Sequence, residues 1–180
     1  VYLRLSTRPI HQLKRNLSPE QRTAIIEGGY WVFEPETNAE LALIYSGAVV
    51  QEVTEAFELI REDLPGAGLL AVTSSDRLNA GWQAAKRNRH HGGPRTVSLV
   101  EKLLEPLAEN ATLVTILDGH PATLSWLGGV RGHCVESLGV EHFGQSGSID
   151  DLYRHYGLDT QTIIDACASA YLNALGYHDH

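Results

Sequence analysis

ATLVTILDGHPATLSWLGGVRGHCVESLGVEHFGQSGSIDDLYRHYGL, residues 111–158, decides the fold. Its apolar run Ala111–Leu117 stops at Asp118-Gly119, the pattern of a buried strand giving way to a turn. Pro121 suits a first helical position, where its missing N–H would have had no partner anyway. Val135–Val140 reads as a second short strand. Ser148 is followed three residues later by Asp151, the capping-box relation, so a helix starts there. Strand, helix, strand, helix in this span is an α/β unit.

Working outward, the same pattern extends towards the amino end. Gly28-Gly29 releases the chain into Tyr30–Phe33, a short aromatic strand. Leu41–Tyr45 is a continuous apolar strand that stops at Ser46-Gly47. Ala48–Asp63 carries Val49, Val53, Ala56, Phe57 and Ile60 at helical spacing. Leu69–Val72 is another buried strand. Leu78–Arg87 reads as helix, Asn88–Arg95 as loop, and Ser98 with Glu101 as a capping box. The helix it opens is lined by Val97, Val100, Leu103, Leu104 and Leu107, with Pro106 near its end. Asp159 caps a last helix to about Leu175, with Ile163, Ala166, Cys167, Ala170, Tyr171 and Ala174 on its apolar face. The tail from Gly176 to His180 is expected to fray.

Apolar runs separated by amphipathic helices predict a largely parallel sheet covered on both faces. Tyr30–Phe33 reaches Leu41 through a turn too short for a crossover, so these two strands cannot be parallel neighbours. The expected fold is a three-layer α/β/α sandwich with a mixed, mostly parallel five-stranded sheet. Residues 1–28 stand apart. VYLRL (1–5) resembles a final strand of a preceding domain, Pro9 interrupts it, and 6–28 reads as a linker in which Ser18 could cap a turn or two over Pro19–Ile26. The domain proper is then 29–180. A first residue Val1 and a chain without methionine suggest a piece of something longer.

Composition narrows the function classes. A chain of 180 residues is most simply one domain with a core of its own. The net charge of −8 weighs against a dedicated nucleic-acid binder, although Val1–Arg22 holds five basic residues against Glu20. No run is long and apolar enough for a membrane helix, and no signal peptide is visible. Cys134 and Cys167 read as reduced, buried residues of a cytoplasmic chain.

Candidate sites are few. Ser46-Gly47-Ala48 lacks the glycine fingerprint of dinucleotide folds, so Gly47 reads as room for a tight strand-to-helix turn. Asp118 and His120 stand at the carboxyl end of a strand, where ligands of open α/β sheets sit. They either orient a partner, or serve the turn and the surface. The 143–148 loop (FGQSGS) is either an anion nest before a helix or a plain loop. Lys86, Arg87, Arg89, His90, His91 and Arg95 form a basic segment that could receive a phosphate, a carboxylate or an acidic partner, or simply be solvated. The nine histidines show no ligand spacing, and His142, His155 and Asp159 define no metal set. No residue is assigned as catalytic, cofactor-binding or metal-binding.

Several segments together resemble the C-terminal domain of transketolase-like, thiamine-diphosphate-dependent enzymes. They are VYLRLSTRP (1–9), LALIYSGAVVQEVTEAFELI (41–60), VTSSDRLNAGW (72–82), TLVTILDGHPATLSWLGG (112–129) and LGVEHFGQSGSIDDLYRHYGLD (138–159). DGHPATLSWLGG and SSDRLNAGW are most like the homodimeric pyruvate dehydrogenase E1 branch. The resemblance implies a parent that decarboxylates a 2-oxo acid on thiamine diphosphate and Mg2+ and passes the acyl unit to a lipoyl-bearing E2 partner. It implies a homodimer in which this domain supports assembly and borders the active site, with the cofactor-binding groups upstream. The alternatives are a transketolase moving a two-carbon ketol unit between sugar phosphates, and a non-catalytic module binding an E2 partner.

Overall fold

The computed structural model describes residues 8–10, 16–142 and 144–176. The strand expected at 1–5, Phe143 of the 143–148 loop and the tail beyond Gly176 lie outside them. Helix α1 (Pro19–Glu27) is followed by strands β1 (Gly29–Phe33) and β2 (Ala39–Ser46), helix α2 (Val50–Asp63) and strand β3 (Gly68–Val72). Helices α3 (Ser75–His90) and α4 (Leu99–Leu103), strand β4 (Leu107–Leu117), and short helices α5 (Ala122–Ser125) and α6 (Gly128–Arg131) come next. Strand β5 (Cys134–Leu138) and helices α7 (Ile149–His155) and α8 (Thr160–Gly176) complete the order.

The sheet order is β1-β3-β2-β4-β5, parallel except for β1, which runs antiparallel to β3. This is the expected five-stranded mixed sheet, with β1 lodged beside β3 rather than β2. Connections β2→β3 and β3→β4 travel in opposite directions along the sheet, so crossovers of one hand must use opposite faces. Accordingly α2 and α8 cover one face, around Leu43, Phe57, Leu69, Ile116 and Ile163. Helices α3 and α4, with the turns after β4, cover the other, around Ile44, Leu70, Trp82, Leu104 and Leu113. The central strands alternate apolar residues to both layers, which is why their sequence reads as unbroken apolar runs. On β1 the register shifts between Trp31 and Phe33. Trp31 packs on the α4 side and donates its indole N–H to the Leu103 carbonyl at 3.1 Å, while Phe33 stays on the α2 side.

Caps account for most boundaries. Ser18, Ser74 and Ser148 accept N–H bonds from Gln21, Arg77 and Asp151, and Asp159 accepts from Thr162. The capping box at Ser98 and Glu101 forms as expected. Several expectations need correcting. Helix α3 is extended by its Ser74 cap and runs to His90, into the expected loop. Helix α4 ends at Leu103, because Pro106 cannot supply a helical N–H, and Leu107 instead opens β4 opposite Ala39. Val97 is left 45% exposed and lines no core. Cys134 is exposed because β5 is an edge strand with an open outer side, whereas Cys167 is buried under α8 with its thiol pushed up to about 12 by burial.

Helix α1 is tied to the sheet by Thr73, whose hydroxyl donates to the Ile25 carbonyl at 2.6 Å, and by Arg77, which donates to the Ile26 carbonyl at 2.9 Å.

Candidate functional site: a cleft at the carboxyl ends of β2 and β4

The loops leaving β2 and β4 turn to opposite faces of the sheet, and the crevice between them is where open α/β sheets place ligands. A cleft of about 830 Å³ opens there, walled by Gly47 after β2, Asp118 and His120 after β4, and Arg8 and Tyr153. Gly47 takes φ +90°, and a Cβ built on it would overlap the Asp118 carboxylate. The glycine thus serves two ends: the sharp turn into α2, and a seat for Asp118 against its backbone.

The Asp118–Pro121 turn is held from the other side by the exit of β5. Val140 N–H donates to the Gly119 carbonyl at 2.8 Å, and a Cβ on Gly139 would meet that same oxygen at 2.5 Å. Pro121 has helical angles, as expected (φ −58°, ψ −30°). His120 is exposed, and its Nδ1 accepts the Ala122 N–H at 3.2 Å. The 143–148 loop reaches the cleft through Gly144 and Gln145. Its helix start offers little to an anion, since Ser148 already takes the Asp151 N–H and Asp150 and Asp151 crowd the first turn.

Arg8 closes the amino side of the cleft. It donates to Glu52 of α2 at 2.8 and 2.5 Å, and its guanidinium lies 5.2 Å from the Tyr153 ring centre. Only 14% of the Arg8 side chain and 13% of the Glu52 side chain is exposed. The pair keeps Arg8 charged well above its ordinary range, chiefly through the Glu52 hydrogen bonds. Burial pushes the Tyr153 hydroxyl up, with the Glu52 and Asp118 carboxylates adding and Arg8 opposing. Removing Arg8 strands a mostly buried carboxylate. Arg8→Ala is therefore expected to destabilise the chain by about 1–3 kcal/mol, less than a fully buried pair because water still reaches it. Urea unfolding measures the loss, and Glu52→Gln in the Arg8→Ala background should recover part of it. An unchanged midpoint for Arg8→Ala would show that the pair holds nothing.

The cleft thus brings together Asp118 and His120, as the strand-end pattern predicted, and adds Arg8 and Tyr153, which no motif marked. The basic segment lies elsewhere. Among the described residues no three His, Cys, Asp or Glu side chains gather as a metal-ligating group, and no helix is long and apolar enough to cross a membrane. This donor set does not fit a bound divalent metal with its diphosphate.

A mostly parallel sheet with one antiparallel edge and a cleft at its switch point defines an open α/β domain. Residues 28–159 match the family described as the Transketolase-like TK C-terminal domain, and the chain belongs to that family. The fold is similar to a Pichia stipitis transketolase solved with sedoheptulose 7-phosphate (TM-score 0.61, 13% identity, covering 86% of this chain and 19% of that one). It is also similar to a transketolase from Leishmania mexicana (TM-score 0.61, 14% identity, 84% and 19%) and to a split-gene transketolase described as an inactive β4 tetramer (TM-score 0.53, 14% identity, 81% and 43%). The chain spans less than half the length of each of these proteins. No curated protein sequence matches it.

These findings overturn the pyruvate dehydrogenase reading. The family and the similar structures are transketolase-like, and none points to the E1 branch, to 2-oxo acid decarboxylation or to a lipoyl-bearing E2 partner. The two segments that suggested the branch do architectural work here. Asp118–Pro121 builds the turn after β4, and Ser74 caps α3. Neither role distinguishes one substrate from another.

Proposed function

We propose that the chain is the C-terminal domain of a thiamine-diphosphate-dependent transketolase, which moves a two-carbon ketol unit between sugar phosphates. The observation that carries this reading is the family match over residues 28–159. Thiamine diphosphate and Mg2+ supply the carbanion chemistry in such a parent. The residues described here lack a ligand set for them, so the reading places the cofactor on other parts of the parent and routes no step through this domain. Its task is structural: a sheet packed on both faces that supports a homodimer and borders the active-site approach. Residues 1–28 are, on this reading, the end of a preceding domain and a linker, and 29–180 the C-terminal domain. The contact of Arg8 with α2 and Tyr153 supports it, since it would lock such a linker onto the domain.

The test is an assay of the full-length protein with a ketose phosphate donor and an aldose phosphate acceptor, with and without thiamine diphosphate and Mg2+. Ketol transfer that depends on both is expected. Turnover of pyruvate with an artificial electron acceptor, without ketol transfer, would overturn the reading.

A further inference from the structure

Folding separates the members of the basic segment. Lys86 lies 4.6 Å from the Trp82 ring centre. Arg89 turns inward, donating to the Thr96 carbonyl at 2.8 Å and to the Glu101 carboxylate at 2.8 Å. Arg95 instead meets Lys102 of α4 and Arg131 of α6 around an open cavity of about 590 Å³. Its other charged lining residues are Arg89, Glu101 and Glu105.

The charges there do not cancel. The Glu101 carboxylate is used internally, accepting from Ser98 N–H at 2.8 Å, Ser98 Oγ at 2.6 Å and Arg89. Burial opposes its ionisation, but these donors outweigh burial and hold it below the usual carboxylate range. Arg95, Lys102 and Arg131 have no ion pair or side-chain hydrogen bond among the described residues. Three cations thus face one free carboxylate, Glu105, in a chain whose net charge is −8. With a Debye length of about 8 Å at physiological salt, the local cluster and not the distant negative surface sets the potential inside the cavity. Cations gathered with too little counter-charge repel one another, and an anion relieves that repulsion.

We propose that this cavity binds a small phosphorylated molecule, with Arg95, Lys102 and Arg131 as its phosphate ligands and the Arg89–Glu101 pair as its fixed wall. Guanidinium groups meet phosphate oxygens in pairs, and lysine adds a point charge. The volume lies in the range of small-molecule sites, roughly 300–1,000 Å³, larger than a bare ion needs. Lining that is almost wholly charged, with Val97 its one apolar side chain, favours a small polyanion over a peptide, which needs apolar anchors. The site does not depend on which reaction the parent performs.

Titration of the 180-residue chain with inorganic pyrophosphate, by calorimetry and by amide NMR shifts, tests it. Saturable binding at low salt is expected, with shifts centred on residues 95, 102 and 131. Lys102→Ala and Arg131→Ala should each weaken it by about tenfold, and Arg131→Lys by less. Arg87→Ala, outside the cavity, should leave it unchanged. The altered side chains are exposed, so thermal unfolding should stay put and separate lost binding from lost fold. No saturable binding, affinity in both alanine variants equal to that of the unaltered chain, or capture of a poly-glutamate peptide in place of pyrophosphate would each overturn the proposal.

Discussion

Phe57→Ala is expected to destabilise the chain by about 3–5 kcal/mol, the usual cost of emptying a large buried aromatic site. Phe57 is fully buried on α2, its ring centre 5.2 Å from that of Phe33, and the Arg61 guanidinium sits 5.6 Å from it. Truncation removes transfer energy, the aromatic pair and the contacts joining α2 to β1 together. Because α2 is the sole helix between β2 and β3, the surrounding backbone has little freedom to collapse into the space. For a domain of this size each kcal/mol moves the melting temperature by roughly 2–4 °C, so a drop on the order of 10 °C should appear in a thermal scan. Leu59→Ala on the same helix is the control. That side chain is 51% exposed, and its loss should stay within about 0.5 kcal/mol. Equal losses for the two variants would mean that α2 does not bury the face assigned to it.

Gly47→Ala is expected to cost about 2–5 kcal/mol and to disturb the cleft as well. Two terms combine. At φ +90° an L-residue pays left-handed strain of roughly 1–2 kcal/mol, and its Cβ would collide with the Asp118 carboxylate, an overpacking term of about 1–3 kcal/mol. A double-mutant cycle with Asp118→Ala separates them. The collision vanishes once the carboxylate is gone, while the strain remains. Chemical denaturation of the four proteins measures the coupling. Strict additivity would mean that Asp118 does not rest on Gly47.

Much of the architecture is legible in the sequence because its signals are local. The caps at Ser98, Ser148 and Asp159, the turn at Asp118-Gly119 and the apolar runs of β2, β3 and β4 each depend on neighbours within a few residues. Leu107 is the instructive miss. Its helical spacing from Leu103 is real, yet pairing with Ala39 across the sheet decides its state, and that partner is remote in sequence. Cys134 is a second. A strand residue is read as buried until the sheet order makes its strand an edge.

The site divides along the same line. Asp118 and His120 could be picked out because a strand end followed by a turn is a local pattern. Arg8 could not, since its partners Glu52 and Tyr153 come from α2 and α7. Arg95 could be seen as basic, but not as one of three cations, because Lys102 and Arg131 line the same cavity from two helices while Arg95 lies in a loop.

By itself the order of residues determined the kind of elements, most of their caps and the five-stranded mixed sheet, since periodicity and short-range hydrogen bonding carry that information, while the transketolase-like family was legible only as a resemblance of whole segments. Only the tertiary structure decided which strand became an edge, which glycine seats a carboxylate and which cations gather with too little counter-charge. Those outcomes depend on groups brought together by sheet order and crossover hand, and separation along the chain holds no record of them.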